Sequence, residues 1–143
     1  MARGLDTLIR YHRWQLDGLR REMAGLQEAR AKVQAAIDGV DQSIAHESAS
    51  LTPEMAVTFN MGLFVDGQLK RRHQFEGQRA RLDEEIIQLN DRIAAAFEEI
   101  KRFEIVRDRR AEEAAKAERQ AEETFYNEVA GMRADRARRE EGE

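Results

Sequence analysis

The sequence contains no cysteine, a single proline and few aromatic residues. With no cysteine among 143 residues, the chain can form no disulfide bond and no thiolate site. Aromatic residues make up 6% of the chain and charged residues 36%, which disfavours a compact globular core. The amino terminus lacks the apolar stretch of a signal peptide, and no run reaches transmembrane length. We therefore expect a cytoplasmic protein.

The chain also lacks a strong excess of charge of one sign. It carries 24 basic and 28 acidic residues, which gives a formal net charge of −4. A protein that binds nucleic acid non-specifically needs a basic excess to displace counterions. The balance disfavours a nucleic-acid-associated helical protein, and salt-dependent retention on DNA would test that rival directly.

Apolar residues recur every three or four positions from Leu5 to Ile44, as one face of a helix requires. A strict period of 3.5 residues predicts a left-handed supercoil against a partner helix. We call these positions the seam and predict a first helix over residues 4–47. The seam positions of this helix are Leu5, Ile9, His12, Leu16, Leu19, Met23, Leu26, Arg30, Val33, Ile37, Val40 and Ile44.

The pattern stops after Glu47, and residues 48–68 are predicted to connect two long helices. Thr52 is a typical N-cap and Pro53 a typical first helical residue, so a short helix should begin there. Gly62 and Gly67 are interpreted as loosened backbone. The apolar residues between Met55 and Val65 either cover the open end of the coiled coil or form a partner-docking patch.

Periodicity returns at Phe75 and predicts a second helix over residues 69–138. The seam positions of this helix are Phe75, Arg79, Leu82, Ile86, Leu89, Ile93, Ala96, Ile100, Phe103, Arg107, Arg110, Ala114, Ala117 and Ala121. Its strong seam ends at Phe103, and beyond Arg110 the stripe contains only small alanines in good helix formers. The predicted fold is all-α. It is a single domain of residues 1–143, an antiparallel two-helix coiled-coil hairpin with a longer second helix and a short helical or loop connection.

The alignment of the two helices can also be predicted, because facing residue numbers in an antiparallel pair add to a constant. A constant of 119 joins Leu26 to Ile93 and matches side-chain sizes along the seam. A slip of one heptad, to 112, would set Val40 against Arg72 and bury Arg107 against Leu5. We therefore expect the alignment of 119.

No group of residues points to catalysis. There is no glycine-rich phosphate loop, and no two histidines have the spacing of a helical metal pair. A metal held by His46 and His73 across the end of the hairpin is an alternative, but solvated side chains are favoured. We expect no enzyme activity, no metal and no cofactor.

Two aromatic side chains lie off the seam near the amino terminus. Tyr11 and Trp14 are three residues apart and so share an outer face of the first helix. Aromatic side chains beside arginine are typical of binding hot spots. The alignment of 119 brings arginines of the second helix to the same level, so we predict one belt of partner-binding residues: Arg10, Tyr11, Arg13, Trp14, Arg107, Arg109 and Arg110. Packing of the aromatic pair against the second helix is the alternative.

Two segments resemble a known family. Residues 6–17 (DTLIRYHRWQLD) and 96–105 (AFEEIKRFEI), the latter followed by Arg107-Asp108-Arg109-Arg110 and an Ala/Glu/Arg tail, resemble flagellar export proteins of the FliJ type, especially the alphaproteobacterial branch. The resemblance implies a cytoplasmic component of the flagellar type III export apparatus, peripheral to the inner membrane at the flagellar base. The terminal end of the hairpin would insert into the hexameric ring of the export ATPase.

The same resemblance implies binding to the cytoplasmic domain of the export gate and to export chaperones, with no nucleic acid and no direct membrane insertion. It places a gate or chaperone surface near the start of the second helix, at Phe59, Phe64, Gln68 and Arg71. Phe64 matches the family best, whereas Gln68 and Arg71 depart from its more apolar pattern. A structural coiled-coil scaffold or spacer without an ATPase partner is the rival function.

Overall fold

The computed structural model describes residues 2–58 and 60–142, with side chains over residues 3–55 and 60–142. The fold is all-α: α1 covers Ala2–Ser50, α2 covers Pro53–Thr58 and α3 covers Met61–Glu141. The long helices α1 and α3 pack antiparallel, the short α2 connects them, and α3 is the longer. The predicted fold class is therefore confirmed.

The chain divides into two compact units. The hairpin unit comprises His12–Glu98 and contains most of α1, all of α2 and the first part of α3. The terminal unit comprises Met1–Tyr11 and Glu99–Glu143. Each unit contains a segment of both long helices.

Every buried hydrophobic side chain of the described residues occupies a predicted seam position. In the hairpin unit these are Leu16, Met23, Ile37, Val40 and Leu89, and in the terminal unit they are Ile9 and Ile100. Burial of one such side chain contributes about 1.5–3 kcal/mol, so a narrow seam is enough to hold each helix pair together.

The connection between the long helices is shorter than predicted. Thr52 caps α2 as expected, because its Oγ1 accepts a hydrogen bond from the Met55 N–H at 3.3 Å. The prediction that α3 begins near residue 69 is wrong, since α3 begins at Met61. Asn60 is its N-cap: Asn60 Oδ1 accepts from the Leu63 N–H at 3.1 Å, which satisfies an amide that the helix itself cannot.

The glycines that suggested loosened backbone do not interrupt this helix. Gly62 and Gly67 both lie inside α3 with ordinary negative φ. The seam also continues toward the turn through part-buried residues that follow the same spacing, namely Met61, Val65, Gln68 and Arg72. Glycine costs a helix about 1 kcal/mol relative to alanine, which seam packing offsets here.

The predicted alignment of the two helices is wrong by one heptad. In the hairpin unit, Arg72 Nε donates to Asp41 Oδ1 at 2.9 Å and Arg79 Nη1 donates to Gln34 Oε1 at 2.8 Å. Arg30 also forms an ion pair with Asp83. The residue numbers of each pair add to 113. This is the sum expected when facing seam residues add to 112 and each arginine bonds to the residue that follows the one that it faces. The alignment of 112 is therefore the observed one.

Arginines within the seam explain why the helices adopt the alignment of 112 and not that of 119. Arg30, Arg72 and Arg79 occupy seam positions and are half-buried. A long aliphatic stem can lie along the seam while the guanidinium reaches solvent and a flanking acceptor. In the alignment of 119, Arg30 would lie beside Asn90 and Arg72 beside Ser48, so two carboxylate partners would be lost.

The hydrogen bonds that these arginines donate also shift the pKa values of the groups that they join. The hydrogen bond from Arg30, and then its charge, hold the pKa of Asp83 below its ordinary value. The pKa of Arg72 is raised, first by its hydrogen bond to Asp41 and then by the charge of that carboxylate. Both shifts favour the charged form of the group concerned.

Candidate interaction surfaces

The aromatic pair of α1 is exposed, as the spacing predicted. The exposed fraction of Tyr11 is 51% and that of Trp14 is 65%, and Arg10 and Arg13 beside them are exposed as well. Tyr11 and Arg10 belong to the terminal unit, whereas Arg13 and Trp14 belong to the hairpin unit.

Trp14 borders a shallow groove of the hairpin unit, with a volume of about 410 Å³. The groove is lined by Trp14, Gln15, Gly18, Leu19, Arg21, Arg92 and Ala96. Gly18 and Ala96 are small, which leaves room beside the indole, and Arg21 and Arg92 add two cations. An aromatic face with nearby guanidinium groups suits a partner that offers carboxylates and an apolar anchor.

Sequence reasoning missed Arg21 and Arg92 at this groove. Arg92 is on α3, and the alignment of 119 places it level with Gln27 instead of near Trp14. The alignment of 112 would have placed Arg92 at the level of this groove.

A second groove, of about 420 Å³, lies in the terminal unit. It is lined by Leu5, Asp6, Arg107, Asp108, Arg110, Ala111 and Ala114. Arg107 is part-buried, and its Nε donates to Asp108 Oδ1 at 3.2 Å. Arg109 and Arg110 are exposed. The groove thus combines two arginines with two aspartates and small alanines.

The position of this groove corrects the predicted belt. Arg107 shares the groove with Leu5 and Asp6, whereas the alignment of 119 placed it opposite His12. Within the terminal unit, Tyr11 lies six residues along α1 from Leu5, a rise of roughly 9 Å. Arg107 and Arg110 are therefore level with the start of α1 and not with Tyr11. Whether any of these residues bind a partner stays a prediction.

The predicted gate or chaperone surface lies partly outside the described residues, because it includes Phe59. Phe64 and Gln68 are part-buried, and Gln68 occupies a seam position. Arg71 is exposed, and its guanidinium lies 5.7 Å from the centroid of the Phe75 ring in a cation–π contact. Of the three described residues, Arg71 thus presents most of its side chain to solvent.

Sequence reasoning missed an apolar patch in the last part of α3. Phe125, Tyr126 and Met132 are among the most exposed large hydrophobic side chains of the described chain. They do not lie at the positions that continue the seam spacing, which alanines occupy, so the seam pattern does not identify them. The spacing of Phe125, Val129 and Met132, with steps of four and three residues, was the available signal.

Across residues 2–58 and 60–142, no group of three or more His, Cys, Asp and Glu side chains is placed to hold a metal ion. In the same residues, no helix is both long and apolar enough to cross a membrane.

Comparison with known proteins adds no assignment. No family model matches the chain, and neither the curated proteins nor the solved structures contain a significant match to it. A function can therefore be inferred only from the chain's own residues and from the resemblance of its two segments.

Proposed function

We propose that this chain is a non-enzymatic component of the flagellar type III protein export apparatus, similar to the FliJ type, that binds the ring of the export ATPase. The observation that carries the proposal is the exposed pair Tyr11 and Trp14 on α1, within one of the two segments that resemble the family. Exposed tyrosine and tryptophan side chains beside arginines are the residue types most enriched in binding hot spots.

Charge supports the same proposal. The groove at Trp14 includes Arg21 and Arg92, and the groove of the terminal unit includes Arg107 and Arg110. Arginine binds carboxylates through two parallel hydrogen bonds and is more weakly hydrated than lysine. The complementary partner surface is therefore acidic, with pockets that accept an aromatic ring. A ring of identical subunits would offer such a surface repeatedly.

The gate and the chaperones are proposed partners of the other surface. Phe64 and Arg71 lie in the first three turns of α3, which also contain the exposed Leu63 and Leu69. An apolar patch of this kind with a cation at its edge fits a protein partner. In this proposal the chain works in the cytoplasm, peripheral to the inner membrane at the flagellar base.

The rival is a coiled-coil scaffold or spacer without an ATPase partner. One observation favours it: 34 residues of α3 from 108 to 141 are helical and almost wholly exposed, which suits a spacer as well as an adaptor. Co-purification with the export ATPase separates the two functions, because a spacer would not retain the enzyme.

The decisive variant is Trp14→Ala combined with Arg110→Ala. We expect ATPase stimulation by this double variant to fall about tenfold, because hot-spot side chains of these types contribute more than about 1 kcal/mol to binding. Helicity and melting temperature should stay close to those of the unmodified chain. The matched control is Ile87→Ala with Arg81→Ala, which also removes an exposed apolar side chain and an exposed arginine from the helices.

Undiminished stimulation by the folded double variant would contradict the proposed contact. A marked drop in its melting temperature would instead show that Trp14 stabilises the helix pair, and the packing alternative would be correct.

A further inference from the structure

The last part of α3, residues 108–142, which we call the tail, contains one apolar face. Phe125, Val129 and Met132 follow each other at steps of four and three residues and so lie on one side of the helix. The exposed fraction of Phe125 is 61% and that of Met132 is 70%. Val129 is the only residue within 108–142 that is not exposed. The Tyr126 ring lies edge-on to Phe125, with centroids 6.0 Å apart.

Charge is distributed unevenly on either side of this face. At the positions that continue its spacing of three and four residues, Glu118 and Glu122 precede the face and Arg136 and Arg139 follow it, whereas the other sides of the tail carry charges of both signs, such as Arg119 and Asp135. A second tail running in the opposite direction would bring its arginines to the acidic side of the first and its acids to the basic side. The face is therefore complementary to an antiparallel copy of itself.

We propose that the tail pairs antiparallel with the tail of a second copy of this chain. The favoured alignment is the one in which facing residue numbers add to 261. It sets Val129 against Met132 of the second copy, Phe125 against Arg136 of the second copy, and Glu122 against Arg139 of the second copy. Each contact occurs twice because the pair is two-fold symmetric.

Other alignments match less well. A parallel, in-register pair would set Arg136 against Arg136 and Arg139 against Arg139, and like charges repel. An antiparallel pair shifted by one heptad, to 254, would set Phe125 against Val129 but would bury Met132 against Glu122 and leave Arg139 facing Ala115. The contact between arginine and phenylalanine has a precedent in this molecule, where the guanidinium of Arg71 lies 5.7 Å from the centroid of the Phe75 ring.

The area of contact implies a weak dimer. Only the face of Phe125, Val129 and Met132 is apolar, so the interface is smaller than that of a stable complex, which buries about 1,200–2,000 Å². Association should depend on concentration and on salt, because opposite charges flank the apolar centre. The inference does not rest on the proposed function.

Sedimentation equilibrium of the full chain over a wide concentration range tests the proposal. We expect a reversible monomer–dimer equilibrium. Phe125→Ala with Met132→Ala should weaken it about tenfold or more, since each substitution removes two contacts from the dimer. Ile87→Ala is the matched control, because Ile87 is an exposed apolar residue of α3 outside the tail. It should leave the equilibrium unchanged.

A charge exchange tests the alignment. Glu122→Arg and Arg139→Glu should each weaken the dimer, and the two substitutions in the same chain should restore it, which a loss of helix stability alone could not do. A chain that stays monomeric at millimolar concentration overturns the proposal and leaves the face to a different protein. A dimer that Phe125→Ala with Met132→Ala leaves intact also overturns it, and failure of the exchange to restore pairing overturns the alignment.

Discussion

Two stretches of α3 differ sharply although they belong to one continuous helix. From Met61 to Arg107, a residue that is buried or part-buried recurs every three or four positions, whereas within the tail Val129 alone is not exposed. The paired stretch is held by its seam. The tail is built from alanine, glutamate and arginine, which form helix by intrinsic propensity and by neighbouring opposite charges.

The comparison also shows that an arginine at a seam position can be either half-buried or exposed. Arg72 and Arg79 are half-buried because Asp41 and Gln34 accept hydrogen bonds from their guanidinium groups. Arg110 continues the same spacing and is exposed. What decides between pairing and exposure is therefore the residue that the facing helix offers, and not the arginine itself.

The largest expected difference between the two stretches is in thermodynamic stability. Ile37→Ala removes a fully buried side chain of the seam and should lower the free energy of unfolding by about 2–5 kcal/mol, because a cavity is left between the helices. Met132→Ala in the tail should change it by less than about 0.5 kcal/mol. Urea denaturation followed by circular dichroism, at a protein concentration low enough to exclude association, measures both.

Equal effects of the two substitutions would show that the tail is packed as tightly as the seam. Burial of side chains in the isolated chain would then not account for the stability of either stretch.

The alignment of the paired stretch can be tested next. Because the chain has no cysteine, Leu26→Cys with Ile86→Cys introduces the only two thiols. These positions face each other in the alignment of 112, so a disulfide should form within one molecule under mild oxidation. Leu26→Cys with Ile93→Cys, which the alignment of 119 would join, should stay reduced. The opposite result would restore the alignment of 119.

The smallest expected effect concerns pH. The hydrogen bond from Arg30 depresses the folded-state pKa of Asp83, so this pair stabilises the fold above the ordinary pKa of the aspartate. That stabilisation is lost as the pH falls through the depressed value, below about pH 4. Asp83→Asn should therefore lower the urea midpoint at neutral pH and reduce the further drop on acidification.

Asp91→Asn, at an exposed aspartate of the same helix, is the matched control and should leave the acid-induced drop unchanged. If Asp83→Asn left that drop as large as in the unmodified chain, the Arg30–Asp83 pair would have no part in acid sensitivity.

The helices and their seams follow from the sequence because apolar spacing reports directly which face of a helix is buried. The buried residues, such as Ile37 and Leu89, all lie at predicted seam positions. The alignment was not predicted correctly, because a heptad repeat matches itself almost equally well after a shift of seven residues. Ion pairs beside the seam distinguish the two alignments, and the N-cap at Asn60 determines where α3 begins. Both signals are present in the sequence.

The candidate surfaces were predictable only in part. The exposure of Tyr11 and Trp14 followed from their spacing relative to the seam. The neighbours from α3, such as Arg92, which lines the same groove as Trp14, depend on the alignment and could not be found without it. The patch at Phe125 was missed because it departs from the heptad frame of the preceding stretch.

The capped turn between α1 and α3 has a consequence for the order of folding. The cross-helix contacts of the hairpin unit join residues 31, 45 and 53 positions apart, and the contact that closes the shortest loop, Arg72 with Asp41, is nearest the turn. Closing a shorter loop costs less chain entropy. We therefore expect folding to nucleate beside Thr52 and Asn60 and the helix pairing to extend away from the turn. A chain truncated within the later part of α3, or a nascent chain that has not yet been completed, would then still form the closed turn.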